Sequence, residues 1–218
     1  AYEKWRSLRF LFAKRDIWNI MNGIICGDGI ARNVIDLWQT VTLFLTIRGI
    51  SMEKEMAEVY CGNGRGKTTL AIGQALRASS QGKSVIIIQF LKGNERRELD
   101  FLEELDQLDI KIFRFEKMET CYDQLNEEEQ VEEERNILNG LNFARKVIAT
   151  QECDFLVLDE ILGLLDKHIA TVDMVVGLLK QKDESMHLIL TGNRVDPGIL
   201  DYVDSVTTIT TLGREQNS

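Results

Sequence analysis

A glycine-rich segment that ends in lysine and two threonines carries the strongest chemical signal in the sequence. Its residues, in order, are Gly62, Asn63, Gly64, Arg65, Gly66, Lys67, Thr68 and Thr69. Glycines let a backbone turn tightly, so that several N–H groups converge on one anion. A lysine adds a mobile full charge, and a threonine hydroxyl can bind Mg²⁺. The segment predicts a phosphate-binding loop in which Lys67 and Thr68 act on the bound phosphates.

This loop is a variant of the general phosphate-loop pattern. The pattern GxxxxGK[ST] has a glycine where this chain has Cys61, and Gly62 comes one place later. A glycine-rich turn without a ligand is the alternative interpretation. Phosphate binding is favoured because a strand precedes the loop and a helix follows it, which brings the partial positive charge of a helix N-terminus to the loop.

Two adjacent carboxylates form the second candidate element. The apolar run Phe155–Leu158 is followed at once by Asp159 and Glu160. In phosphate-loop proteins a carboxylate at such a strand end faces the loop and helps to hold Mg²⁺. We therefore expect a carboxylate of this pair to join the Thr68 hydroxyl in holding Mg²⁺. The alternative is a pair of solvated acids at a strand terminus.

Short apolar, β-branched runs alternate with helical patterns from Met52 onward. The expected strands are 57–61, 84–90, 110–115, 154–158, 188–191 and 205–210, and the expected helices are 68–80, 96–108 and one that begins after Asn126. In the last helix Val131, Leu138 and Leu141 share a predicted buried face, while the acidic cluster Glu127–Glu129 and Glu132–Glu134 is expected to be solvated. The alternation predicts an α/β fold, a P-loop NTPase-like (RecA-like) parallel sheet with helices on both faces.

Composition excludes several classes of protein. The chain has 218 residues, 44% of them hydrophobic and 28% charged, which is typical of a globular protein. Its net charge of −9 argues against nucleic acid as the main partner. Four separated cysteines and two histidines favour a reduced, cytoplasmic protein over a disulfide framework or a histidine-rich metal centre. The apolar run 35–50 is too short and polar to span a membrane.

Residues 1–51 differ in composition from residues 52–218. They contain all three tryptophans, and their basic residues outnumber their acidic residues, seven to four, although the whole chain is acidic. We expect residues 1–51 to be an N-terminal extension and residues 52–218 to be the nucleotide-binding domain. The extension is either a partner-binding or lid segment, or sequence upstream of a true start at Met52; its composition favours the second.

Four motifs together resemble one known family. They are GNGRGKTT at 62–69, QFLKG at 89–93, LVLDE at 156–160 and LTG at 190–192. In this order and spacing they resemble the P-loop ATP:corrinoid adenosyltransferases. The resemblance covers about residues 57–210 and does not extend to residues 1–51. It implies that Co(I) of a corrinoid attacks the 5′ carbon of ATP, that tripolyphosphate leaves, and that ATP lies on the loop in the reverse of the usual sense.

The resemblance also implies roles for single residues and for partners. ATP would bind at loop residues 62–69, and Mg²⁺ would be held by Thr68 and Glu160, together with Asp159. Lys67, Thr68 and Glu160 would be the catalytic residues. Gln89 and Lys92 match family positions at the end of the second strand. Tyr122 matches an aromatic residue that contacts the corrinoid. Arg194 lies one place after the position of a family arginine, which is Asn193 here. An electron-donating reductase and a possible homodimer are further implications.

Two other functions remain open from the sequence. A P-loop ATPase or kinase could use Glu160 to orient water or an acceptor. A nucleotide-binding module without corrinoid activity is the other alternative, suggested by Thr120, which stands where the family has a second aromatic residue.

Overall fold

The computed structural model describes residues 56–92, 99, 102, 108–118 and 120–212. The predicted extension 1–51 lies outside the described residues. So does most of the predicted helix 96–108, of which only Leu99, Leu102 and Leu108 are described. Among the described helices, none combines the length and the apolar character that crossing a bilayer requires.

Six strands form one sheet within the described part of the chain. They are β1 (Ala57–Cys61), β2 (Val85–Gln89), β3 (Ile110–Arg114), β4 (Phe155–Asp159), β5 (His187–Thr191) and β6 (Ser205–Thr208). The sheet order is β3-β2-β4-β5-β1-β6, and every neighbouring pair is parallel. The predicted strands are confirmed, with ends that differ by one or two residues.

Helices connect the strands, as the sequence pattern predicts. They are α1 (Lys67–Ser80), α2 (Glu127–Thr150), α3 (Ile161–Asp166) and α4 (Val172–Gln181), with short 3₁₀ helices at Tyr122–Gln124 and Pro197–Tyr202. Helix α2 begins where the sequence predicts. The Asn126 side chain accepts a hydrogen bond from the Glu129 N–H at 3.0 Å, and the Glu129 carboxylate accepts one from the Asn126 N–H.

Alternate residues of each central strand enter two different cores, because successive side chains of a strand point to opposite faces of the sheet. On β2, Ile86 and Ile88 pack in the core that contains residues of α2, α3 and α4. Val85 and Ile87 pack on the other face, in the core that contains Ala71 of α1. The predicted α/β fold with helices on both faces of a parallel sheet is therefore confirmed.

The parallel register brings the carboxyl ends of four strands to one edge. Gln89 at the end of β2 pairs with Asp159 at the end of β4. Tyr60, next to the end of β1, pairs with Thr191 at the end of β5. This edge holds the loop after β1 and the two carboxylates at the end of β4, and open parallel sheets bind their ligands at such an edge.

The first turns of α2 differ from the prediction in which side chains they bury. Val131, expected on the buried face, is 59% exposed, whereas Glu133, expected to be solvated, is only 3% exposed. Both Glu133 carboxylate oxygens accept hydrogen bonds from the Lys117 N–H, at 3.0 and 3.1 Å. The Met118 N–H donates to the same carboxylate at 3.3 Å. The inward-facing Glu133 carboxylate thus supplies acceptors for two backbone N–H groups of the segment after β3, which would otherwise lack a partner in a strand or helix.

Candidate functional site

The loop Gly62–Gly66 joins β1 to α1 and turns at two glycines with positive φ. Gly62 has φ 111° and Gly66 has φ 103°. A Cβ atom added to Gly62 would lie 2.3 Å from the carbonyl oxygen of Ile209, which follows β6. Glycine at position 62 is therefore required both by the backbone conformation and by the close approach of a neighbouring segment.

Helix α1 begins directly after this loop and presents its N-terminus to the same space. The first N–H groups of a helix, here those of Lys67, Thr68 and Thr69, have no acceptor within the helix. The residue that caps α1, Gly66, has no side chain with which to accept from them. Together with the partial positive charge of the helix N-terminus, these N–H groups can bind a phosphate.

The Lys67 side chain lies across the loop. Its Nζ donates to the carbonyl oxygens of Gly62, at 2.8 Å, and of Gly64, at 3.2 Å. The loop backbone thus keeps the ammonium group beside the N-terminus of α1, where it adds a full positive charge to the partial charge of the helix.

Segments that follow β5 and β6 accept hydrogen bonds from the backbone N–H groups of the loop. The Gly62 N–H donates to the Asn193 carbonyl at 2.8 Å, and the Gly64 N–H donates to the Ile209 carbonyl at 2.9 Å. The Arg65 N–H donates to Thr211 Oγ1 at 3.1 Å. Sequence reasoning missed Ile209 and Thr211, because no local pattern in residues 205–212 indicates a contact with a loop about 145 positions earlier.

Asp159 at the end of β4 accepts hydrogen bonds from four side chains. Its Oδ1 accepts from the hydroxyls of Thr68, at 2.9 Å, and Thr191, at 2.7 Å. Its Oδ2 accepts from the Gln89 amide at 3.1 Å and forms an ion pair with Lys92 Nζ at 3.1 Å. The structure therefore brings together four of the predicted residues, around a carboxylate that is only 1% exposed.

Thr191 and Arg114 complete this cluster and were not predicted. The Thr191 hydroxyl, besides donating to Asp159, accepts from the Glu160 N–H at 2.7 Å. Arg114 Nε donates to the Gln89 side-chain oxygen at 3.2 Å, which leaves the Gln89 amide nitrogen directed at Asp159. The LTG motif contains Thr191 and was a usable signal, since its threonine ends a strand at the same edge of the sheet.

Glu160 differs from Asp159 in its surroundings. Glu160 has φ 63° and immediately precedes α3. A Cβ atom added to Gly163 would lie only 3.0 Å from Glu160 Oε1, so this side chain lies close to the backbone of α3. Burial, together with the nearby Asp159 charge, raises the pKa of Glu160 above its usual value, although Lys92 and Lys67 oppose the shift. Of the two adjacent carboxylates, it is that of Asp159 to which the Thr68 hydroxyl donates.

The chemistry of these oxygen atoms fits Mg²⁺. This ion prefers oxygen ligands and is usually held by one or two carboxylates together with substrate phosphates. The Thr68 hydroxyl and the Asp159 carboxylate lie 2.9 Å apart, and Thr68 is also the second residue of α1, whose N-terminus is suited to phosphate. Thr68 and Asp159, with Glu160 as the adjacent carboxylate, are the residues that would hold it.

Two predicted residues make their contacts outside this cluster. The Tyr122 hydroxyl donates to Glu134 at 2.5 Å, and the Lys167 ammonium lies 5.4 Å from the Tyr122 ring centroid. Burial and the Glu134 carboxylate raise the pKa of Tyr122 to about 12. Arg194 forms an ion pair with Asp166 at 3.1 Å, and its side chain is 81% exposed.

Comparison with known proteins identifies the family. Residues 53–216 match the family model described as ATP:corrinoid adenosyltransferase BtuR/CobO/CobP. A corrinoid adenosyltransferase of Escherichia coli K12 is 30% identical over 160 residues, which cover 71% of this chain and 76% of that protein. The corrinoid adenosyltransferase CobA of Salmonella typhimurium is 28% identical over 158 residues, with the same two coverages.

The chain is also similar to solved structures. A KaiC-like protein from Pyrococcus horikoshii has a TM-score of 0.48 and 18% identity, covering 74% of this chain and 75% of that chain. The family assignment rests on the family model, which matches most of the chain, and on the curated relatives. The chain belongs to the BtuR/CobO/CobP family of ATP:corrinoid adenosyltransferases, which are transferase enzymes.

Proposed function

We propose that this protein transfers the 5′-deoxyadenosyl group of ATP to the reduced cobalt of a corrinoid and releases tripolyphosphate. The observation that supports this most is the convergence of the α1 N-terminus and the Lys67 ammonium on one anion site, with the Thr68–Asp159 pair beside it. Such a site is suited to stabilising a polyphosphate that departs with additional negative charge.

In this reaction the Co(I) of the substrate corrinoid forms a bond to the 5′ carbon. The bond between that carbon and the phosphate oxygen breaks, and its electron pair leaves with tripolyphosphate. The protein does not have to supply a nucleophile, so its contribution is to position the substrates and to stabilise charge. This agrees with a site built from donors and cations around Asp159 rather than from a nucleophile and a base.

Each site residue has a role in this proposal. Loop residues 62–66 surround the phosphates, the first N–H groups of α1, those of Lys67, Thr68 and Thr69, bind them, and the Lys67 ammonium stabilises the charge of the leaving group. Thr68 and Asp159, with Glu160, hold Mg²⁺, which supplies further charge neutralisation when bound. Gln89 and Thr191 fix the position of the Asp159 carboxylate.

The corrinoid side of the proposal rests on Tyr122 and Arg194. We place the corrinoid against the segment that contains Tyr122, and we assign Arg194 to closure over the substrates. Because the attacking cobalt must be in the Co(I) state, an electron donor such as a reductase is required as a partner. A homodimer remains an expectation.

The direct test mixes the protein with ATP, Mg²⁺ and chemically reduced corrinoid. We expect the absorption spectrum of a light-sensitive Co–C bond and one tripolyphosphate per adenosyl group transferred. Steady release of orthophosphate without corrinoid would instead indicate an ATPase. Tight ATP binding without any adenosyl product would indicate a binding module.

A Lys67→Ala variant tests the assignment of the anion site. We expect adenosyl transfer to fall by about 100-fold or more, since one charged donor to the transition state is typically worth that much. The matched control is Lys146→Ala, which removes a 66% exposed lysine of α2 that pairs only loosely with Glu152 at 3.9 Å. Full activity in Lys67→Ala would contradict the assignment.

A further inference from the structure

Lys92 occupies a central place in the Asp159 cluster. Its Nζ lies 2.9 Å from Thr68 Oγ1 and 3.1 Å from Asp159 Oδ2. The Lys92 side chain is only 12% exposed. The ammonium group thus contacts both oxygen-bearing side chains that are suited to holding Mg²⁺, and it is largely removed from solvent.

The four donors around Asp159 use the whole acceptor capacity of its carboxylate. An ionised carboxylate has two oxygens with about four lone-pair positions. Two donors contact Oδ1 and two contact Oδ2. A metal ion can therefore bind directly to Asp159 only if one of these donors leaves.

Lys92 is the donor best able to leave. Gln89 and Thr191 stand on strands β2 and β5, and Thr68 stands in the first turn of α1, so their positions are fixed by regular structure. Lys92 follows β2, and its ammonium is carried on a flexible four-carbon stem. Its backbone N–H donates to the Glu116 carboxylate, so the side chain can turn away while the backbone stays anchored.

We propose that the Lys92 ammonium is an internal counter-ion of this site that a divalent cation displaces when it binds to Asp159 and Thr68. That the cation is Mg²⁺ rests on the proposed function. That a cation displaces the Lys92 ammonium rests on the four contacts of Asp159. Without metal, Lys92 compensates a buried carboxylate that would otherwise be costly to keep charged. With metal bound, its ammonium is released from Asp159.

The experiment uses the full chain with Mn²⁺ alone, without nucleotide or corrinoid. Electron paramagnetic resonance measures Mn²⁺ binding, and an Asp159→Asn variant identifies the signal that belongs to this site. In the same samples, acetylation of each lysine is measured by mass spectrometry at fixed pH. We expect Lys92 to be protected without metal and to become several-fold more reactive as Mn²⁺ saturates the site, while Lys146 does not change.

A Lys92→Gln variant gives an independent measurement. Because the competing cation is removed, we expect Mn²⁺ to bind about tenfold more tightly, which is of the size usual for coupled binding events. The matched control, Lys117→Gln, removes one positive charge at a 60% exposed side chain that pairs with Glu132 and should leave the affinity within twofold of wild type.

Two results would contradict the proposed displacement of Lys92 by the cation. One is unchanged Lys92 reactivity while Mn²⁺ saturates the site that Asp159→Asn abolishes. The other is equal Mn²⁺ affinity, or equal absence of binding, in wild type and Lys92→Gln. Failure of the proposed function is a separate result: adenosyl transfer would be absent although Mn²⁺ still displaces Lys92.

Discussion

Thr191 illustrates how much of the site depends on single hydroxyl groups. It is fully buried, donates to Asp159 Oδ1 at 2.7 Å and accepts from the Glu160 N–H at 2.7 Å. It therefore links both carboxylate residues to the end of β5. A group with this placement is sensitive to replacement, since a buried polar atom that loses its partner carries the full desolvation cost.

Thr191→Val is expected to lower the free energy of unfolding by about 1–3 kcal/mol, because it leaves the Glu160 N–H without its acceptor and Asp159 without one donor. Thr191→Ser keeps the hydroxyl and should restore most of that loss. Denaturant unfolding of the three proteins measures the difference. Equal stability of the valine and serine variants would show that the two hydrogen bonds contribute little.

Glu160 provides a prediction about pH. Burial raises its pKa in the folded protein above the ordinary value of 4.5, so the folded state binds this proton more tightly than the unfolded chain does. At pH 4 and below, both states hold the proton. As pH rises through the raised pKa, the folded state must carry a buried charge, and the stabilising contribution of the protonated form is lost.

Glu160→Gln should therefore match wild type at about pH 4 and exceed its melting temperature by a few degrees at pH 8, since about 1 kcal/mol corresponds to roughly 2–4 °C in a domain of this size. Thermal melts at pH 4, 6 and 8 measure this, with Glu132→Gln as an exposed control. If the difference in melting temperature between Glu160→Gln and wild type stayed constant with pH, or decreased towards pH 8, the raised pKa of Glu160 would be contradicted.

At the scale of elements, loop 62–66 depends on the segment after β6, which is distant in sequence. The Gly64 N–H donates to the Ile209 carbonyl, and the Ile209 N–H donates to the Cys61 carbonyl. The segment after β6 thus continues alongside β1 into the loop. This close approach, and not phosphate binding alone, explains the glycine at position 62.

Gly62→Ala is expected to destabilise the fold by about 1–3 kcal/mol, which is typical of strain at a positive φ, with a further cost from the clash with Ile209. The matched variant is Gly73→Ala within α1, where an added Cβ meets no described atom within 4 Å. It should stabilise the protein by about 0.5–1 kcal/mol, because alanine favours a helix interior over glycine. Similar effects of the two substitutions would contradict the described loop packing.

At the scale of the whole molecule, the anion site joins parts of the chain that are far apart in sequence. Loop 62–66, the end of β4 and the ends of β5 and β6 all meet at one edge of a sheet that is covered on both faces. A ligand that binds at this edge requires these segments to be assembled. Its binding energy is therefore coupled to global unfolding.

Tripolyphosphate with Mg²⁺ is the simplest ligand for this test, because it represents the proposed leaving group alone. At 100 times its dissociation constant it should stabilise the folded protein by about 2.7 kcal/mol. In a domain of this size that corresponds to roughly 5–10 °C. Lys67→Ala should lose the shift and Lys146→Ala should keep it. A comparable shift with AMP and none with tripolyphosphate would place recognition on the nucleoside instead.

The amino-acid sequence by itself determined the strands, the glycine-rich loop between β1 and α1, and the acidic pair at the end of β4. These features depend on local patterns, namely apolar runs of strand length, the backbone freedom of glycine and the position of carboxylates at a strand end. The same reasoning placed the start of α2 at Asn126. Four of the predicted site residues, Thr68, Gln89, Lys92 and Asp159, are in contact with one another in the structure.

Only the tertiary structure decided which groups complete the site. Thr191, Arg114, Ile209 and Thr211 act through contacts with segments 25 or more positions away in the sequence, and local periodicity does not show which segments the sheet brings together. The inward-facing Glu133 has the same cause, since its partners are backbone N–H groups of another segment. Local patterns report the preferences of a short segment; the partners of a buried polar group depend on which segments the fold brings beside it.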